Sequence, residues 1–151
     1  MTGWNRVSSP WVARILGICA VFSLLVFAAG RVAADDAPKP WVAPDEARAV
    51  KNPVPPTADN IAAGQQLFTD NCVLCHGEKG MGDGPGAKSI KIKPANFTDP
   101  ALMKLETDGS LFWKMGQGRG PMPSWKDTFT DTERWQLVNY IRKLGKDAAK
   151  K

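Results

Sequence analysis

The stretch NCVLCHGEKGMGDGPG, Asn71 to Gly86, constrains this 151-residue chain more than any other. It holds Cys72, Cys75, five glycines and His76, the only histidine in the sequence. Cys-x-x-Cys-His is the attachment pattern of a c-type haem. Two thiols at this spacing add to the two vinyl groups of one haem, and the adjacent imidazole reaches the iron. A covalent tether keeps the cofactor in an exported protein, where free haem would be lost. The competing readings are weaker. A redox pair of cysteines normally sits beside a strand–helix pattern, and none is present. A zinc site needs more ligands, and there is no second Cys/His pair. A disulfide between residues this close closes a tiny loop and stabilises little. A chain organised on this stretch wraps a bulky apolar object.

The N-terminus has a different character. Arg6 and Arg14 precede an uncharged, largely apolar run, Ile15 to Ala29, and Val32-Ala33-Ala34 follows before Asp35. A basic start, a 15-residue apolar run and a V-x-A site read as a signal peptide over residues 1–34. The run is short for a bilayer span, which needs about 20 apolar residues. An uncleaved anchor is the alternative, with Trp4 and Trp11 at the interface. Cleavage places the protein in the periplasm; retention anchors it to the outer face of the inner membrane. Without residues 1–34 the chain keeps 17 basic and 15 acidic residues, so its formal charge falls from +5 to +2. The basicity is largely a targeting feature, and no nucleic-acid partner is read from it.

Residues 35–56 carry six prolines and read as an extended linker, with a helical turn possible at Asp45–Val50 and Trp41 able to dock. A domain follows over residues 57–146, and 147–151 read as a flexible tail. The first helix spans Ala58–Asn71, capped by Thr57, with Gly64 placed where another helix comes close. Gly77 to Pro100 reads as loop, since five glycines and three prolines break it. A second helix spans Asp108–Met115. A third spans Asp131–Leu144, opened by the Thr130/Glu133 capping box and stopped by Gly145. Trp135 and Tyr140 read as core. The fold class is therefore all-α, with three main helices and long loops around one covalently bound haem. A domain of about 90 residues can fold alone, and an apolar centre helps it.

Cys72, Cys75, His76 and Gly77, the GDGPGA run and the segment GPMPSWKDTFTDTERWQLVNYIRKL together resemble the class I monohaem c-type cytochromes. The likeness covers about residues 58–145 and is strongest to the small cytochrome domains of terminal-oxidase subunit III. It implies a small cytochrome c fold and a one-electron carrier between redox-protein partners, a donor and an acceptor.

The iron needs a sixth ligand, and methionine leads because no second histidine exists. Met122 lies between Pro121 and Pro123, which hold its backbone extended, and it matches the distal methionine of the resembling family. Met115 is the runner-up, although a helical methionine is more often core packing. His/Met ligation raises the potential of the iron. The resemblance also implies a proline carbonyl accepting from the other nitrogen of His76. Pro85 matches best, and Pro94 remains open. Arg119 and Trp125, with Lys93 and Asn96, are candidates for the haem propionates. Membrane contact is expected only if residues 1–34 stay attached. The alternatives to a free carrier are a fixed subunit of an oxidase or dehydrogenase complex, and a peroxidase-like enzyme with an open sixth site. The latter needs a distal acid–base residue, and Arg119 alone is a poor one.

Overall fold

The structure is a computed structural model that describes residues 40–150. The expected signal peptide, residues 35–39 of the linker, and Lys151 lie outside the described residues. Six α-helices form among those described: α1 Asp45–Ala49, α2 Ala58–Asn71, α3 Val73–His76, α4 Pro100–Leu105, α5 Asp108–Gln117 and α6 Asp131–Ala148. A 3-10 helix, Pro85–Ser89, interrupts the long loop. The only strand-like pairing among these residues is an isolated bridge between Arg119 and Met122. The chain is all-α, as expected.

The N-terminal caps follow the sequence chemistry. Thr57 Oγ1 accepts from the Asn60 amide of α2 (3.3 Å), and Thr107 Oγ1 accepts from that of Ser110 in α5 (3.1 Å). At α6 the box is complete: Thr130 Oγ1 accepts from Glu133 N (3.3 Å), and Glu133 Oε2 accepts from Thr130 N (2.8 Å). Thr130 Oγ1 also donates to Glu133 Oε2 (2.8 Å), and the bond from Thr130 N together with this one holds the Glu133 carboxyl below its ordinary value.

The core is the crossing of α2 and α6. A Cβ at Gly64 would lie 2.1 Å from the carbonyl oxygen of Gln136, so glycine is required by backbone approach. That approach buries Phe68, Leu137 and Val138 to within 1% of full burial. Each such side chain contributes about 1.5–3 kcal/mol. Gln136 Nε2 donates to Asn60 Oδ1 across the same seam (3.0 Å). Trp135 is buried as expected and stacks on Phe112 of α5, with ring centroids 4.0 Å apart.

Three elements differ from the sequence reading. Residues 40–56 are not a free spacer. Ala43 is buried, and the Ala47 carbonyl lies 2.0 Å from the Cβ position of Gly109 in α5. Asn52 Nδ2 donates to Trp135 O (3.2 Å) and Asn139 Oδ1 (2.9 Å) of α6. Proline content removes donors but does not prevent docking by the residues between. Second, α4 forms where the expected loop ends, in a stretch for which no helix is expected, because Asp99 caps it by accepting from Ala101 N (2.9 Å) and Pro100 opens it. Third, α6 continues through Gly145 to Ala148. Gly145 does not stop the helix; a Cβ there would meet the Phe97 carbonyl oxygen at 3.1 Å, so it is a packing glycine.

Two outcomes follow from these contacts. Gly64→Ala improves helix propensity by about 1 kcal/mol, yet overpacking of the crossing costs typically about 1–3 kcal/mol. Urea denaturation of the haem-loaded protein should show a net loss, and a more stable variant would refute the close crossing. For Glu133 the folded pKa is depressed. Its contribution is present above the ordinary carboxylate range and is lost as pH falls through the folded value. The stability gap between wild type and Glu133→Ala should therefore close in acid, as read by thermal melts across pH.

Candidate functional site

The site begins where α2 runs into α3. Cys72 joins the two helices, and its carbonyl accepts from Cys75 N (3.2 Å) and His76 N (2.8 Å). Cys72, Cys75 and His76 thus occupy i, i+3 and i+4 of one helical turn and share a face. This is the physical content of the two-residue spacer. Both cysteines are free thiols. Burial, with the charge of Cys75, pushes the Cys72 thiol up to about 12. It is held as a neutral thiol in an apolar wall. Among the described residues no group of three His, Cys, Asp or Glu is placed to hold a metal ion.

The glycine run turns the chain beneath this helical turn. Gly77 has φ 76°, and a Cβ on it would lie 2.1 Å from Asp83 Oδ1. Gly82 N donates to the His76 carbonyl (2.8 Å), and Gly84 N to that of Cys75 (3.2 Å), so the loop satisfies the end of α3.

The His76 ring is fixed on two sides. It stacks on Phe97, with centroids 4.7 Å apart and planes 19° from parallel. Nδ1 lies 3.1 Å from the Ala95 carbonyl oxygen. A carbonyl only accepts, so Nδ1 carries the proton and Nε2 keeps the lone pair. Burial lowers the pKa of His76, against the raising effect of the Ala95 bond, and favours the neutral ring. The expected acceptor Pro85 is a correction: Pro85 opens the 3-10 helix, and Ala95 supplies the carbonyl. The alternative, Pro94, is one residue away, but its carbonyl oxygen faces Gly82, 2.5 Å from a Cβ built there. Sequence reasoning named the right region and the wrong residue. Any residue offers a carbonyl, so type carries no signal for this role.

Met122 sits on the opposite segment. Arg119 N donates to Met122 O (2.9 Å) and Met122 N to Arg119 O (3.1 Å), closing a tight turn. Gly120, with φ 56°, takes its first central position and Pro121 its second, the II′ arrangement. The loop beyond is fastened to α5. Ser124 Oγ donates to the Gly116 carbonyl (2.5 Å) and Trp125 N to that of Met115 (2.9 Å). Trp125 also stacks on Phe129, centroids 4.9 Å apart.

These two walls enclose a largely apolar cavity of about 320 Å³. Cys72, Cys75 and His76 line it together with Met122, Arg119 and Trp125. A second cavity of about 100 Å³ shares His76 and Met122 and adds Met103 and Met115. The residues fit a covalently tethered haem: two thiols, an imidazole with Nε2 free and a thioether converge on one apolar space. Lys93 lines the larger cavity as well. Asn96 is turned to local use, its Oδ1 accepting from Thr98 N (2.9 Å) and Thr98 Oγ1 (2.6 Å). Met81, with 44% of its surface exposed, lies apart from both cavities. Leu102 of α4 lines both cavities and was missed with its helix; the Asp99-Pro100 pair was the available signal. No helix among the described residues is long and apolar enough to cross a membrane.

The profile of the family described as cytochrome C oxidase, cbb3-type, subunit III matches residues 59–141. The chain is 32% identical over 98 residues to chloroplastic cytochrome c6 of Chlamydomonas reinhardtii, covering 62% of this chain and 60% of that protein. It is 29% identical over 87 residues to the cbb3-type cytochrome c oxidase subunit FixP of Bradyrhizobium diazoefficiens, covering 57% of this chain and 28% of that one. Against a solved chain of the Kuenenia stuttgartiensis reducing HAO-like protein complex the TM-score is 0.55 at 30% identity, covering 72% of this chain and 51% of the other. The chain thus spans less than two thirds of each of these relatives. With the site's two thiols and lone histidine on one helical turn, the profile match establishes that the chain belongs to the cbb3-type cytochrome c oxidase subunit III family, as a monohaem c-type cytochrome domain with one covalent haem c.

Proposed function

We propose that this protein is a periplasmic one-electron carrier whose haem iron is ligated by His76 and Met122. The carrying observation is that Met122 and His76 line the same apolar cavity as both thiols. When bound, the haem supplies a one-electron iron couple. Cys72 and Cys75 tether it through thioethers. Nε2 of His76 would hold the iron, with the ring fixed by Ala95 and Phe97. The Met122 thioether is a soft donor that favours the reduced iron and raises its potential. The apolar wall excludes water, and Arg119 and Lys93 are the cations of the cavity suited to the propionates.

Iron held by both His76 and Met122 would leave no open position for a substrate, which supports a carrier over a peroxidase-like enzyme. The donor and acceptor are redox proteins. A second reading, a fixed electron-transfer subunit, is favoured by the likeness to oxidase subunits named FixP and CcoP. Purification from soluble and membrane fractions separates the two: co-purification with a redox enzyme supports the subunit. Mass spectrometry of the exported protein tests loss of residues 1–34.

Met122→Ala should abolish the weak far-red iron–sulfur absorption of the oxidised protein and lower its potential, whereas Met115→Ala should keep the band. The opposite pattern moves the ligand to Met115. Cys72→Ser with Cys75→Ser should leave no haem on a denaturing gel stained for haem, while either single variant retains one thioether. Persistent staining of the double variant would rule out this attachment.

A further inference from the structure

We propose that residues 40–56 form a strap that closes the haem crevice, sealed by Trp41. The inference rests on the haem reading above and concerns a segment upstream of the family match, which starts at residue 59.

Trp41 lines both cavities, the larger with the two thiols and the smaller with Met115. His76 and Met122 also line both, so the indole borders the space between the two proposed ligands. Two cations hold the ring: Lys114 Nζ lies 5.5 Å and Arg119 Cζ 5.8 Å from its centroid. Lys114 is itself paired with Glu106, and both side chains are mostly buried. A cation beside an aromatic face is attracted most strongly when it is partly desolvated. The ring is therefore clamped by a charge network that spans α4–α5 and the Met122 turn.

The rest of the strap is anchored away from the crevice. Ala43 is 2% exposed. Arg48 Nη2 donates to the Leu105 carbonyl (3.3 Å). Asn52 bonds to α6, and Asn139 Nδ2 of α6 donates back to the Val54 carbonyl (3.0 Å). The anchors reach Leu105 at the end of α4 and Trp135 and Asn139 of α6, none of which lines the crevice. Two effects follow. The indole keeps water and small anions from the Met122 side, and its low-polarity surface disfavours the extra positive charge of oxidised iron.

The test is cyanide binding to the ferric holoprotein, with the midpoint potential measured on the same samples. In Trp41→Ala cyanide should bind about tenfold faster, equivalent to about 1.4 kcal/mol of closing free energy. The potential should fall while the far-red band stays. Trp41→Phe should remain near wild type. An unchanged rate and potential in Trp41→Ala overturn the strap. If Trp41→Ala does not load haem, Asn52→Ala takes its place, since it frees the far anchor and spares the crevice wall. Faster cyanide binding in that variant supports the strap; wild-type rate and potential overturn it. Absence of the far-red band in wild type would instead count against Met122 ligation, leaving the strap to be judged on the shift in potential between wild type and variant.

Discussion

The contact between Gly64 and the Gln136 carbonyl sets the position of everything that serves the cofactor. Because α2 lies directly on α6, Phe68 is pressed onto Tyr140 (centroids 5.3 Å) and meets Phe97 edge-on (6.3 Å). Phe97 then stacks on His76. A backbone approach two helical turns before Cys72 is thus transmitted through aromatic packing to the imidazole plane. Aromatic pairs of this kind contribute beyond area burial and hold defined angles. His76, the proposed iron ligand, is oriented by the core and by one carbonyl, rather than by a polar network of its own.

The opposite wall is built by different means. The Met122 segment has no helix to hold it. Two prolines, the Arg119–Met122 bridge and the bonds to the Gly116 and Met115 carbonyls replace one. These last two bonds also use carbonyls at the end of α5 that the helix leaves unsatisfied. The wall is therefore an extension of the α5 terminus. A soft donor on a stiff, apolar loop suits an electron carrier, which needs the same coordination in both oxidation states.

Much of this was legible in the residues. Cys72, Cys75 and His76 announce their shared face because the spacing is one helical turn. Thr57, Thr107 and Thr130 mark helix starts because a hydroxyl satisfies an otherwise unpaired amide. Gly64 was readable as a close approach because glycine inside an amphipathic helix costs stability without a reason. Met122 stood out by its proline neighbours. Less legible were α4, hidden among loop residues although Asp99-Pro100 signals a start, and Gly145, a packing glycine in the guise of a stop.

The sequence by itself determined the haem-attachment motif and the helical class, and it singled out a methionine held between prolines as the candidate ligand. These are local properties, carried by residue type and spacing along one or two turns. Only the tertiary structure decided which carbonyl orients His76, where Trp41 rests and whether residues 40–56 float or dock. A backbone carbonyl is chemically the same at Pro85, Pro94 and Ala95, and a tryptophan in a proline-rich segment does not name its partner. Those outcomes depend on which surfaces the α2–α6 crossing brings together, and no local pattern encodes that.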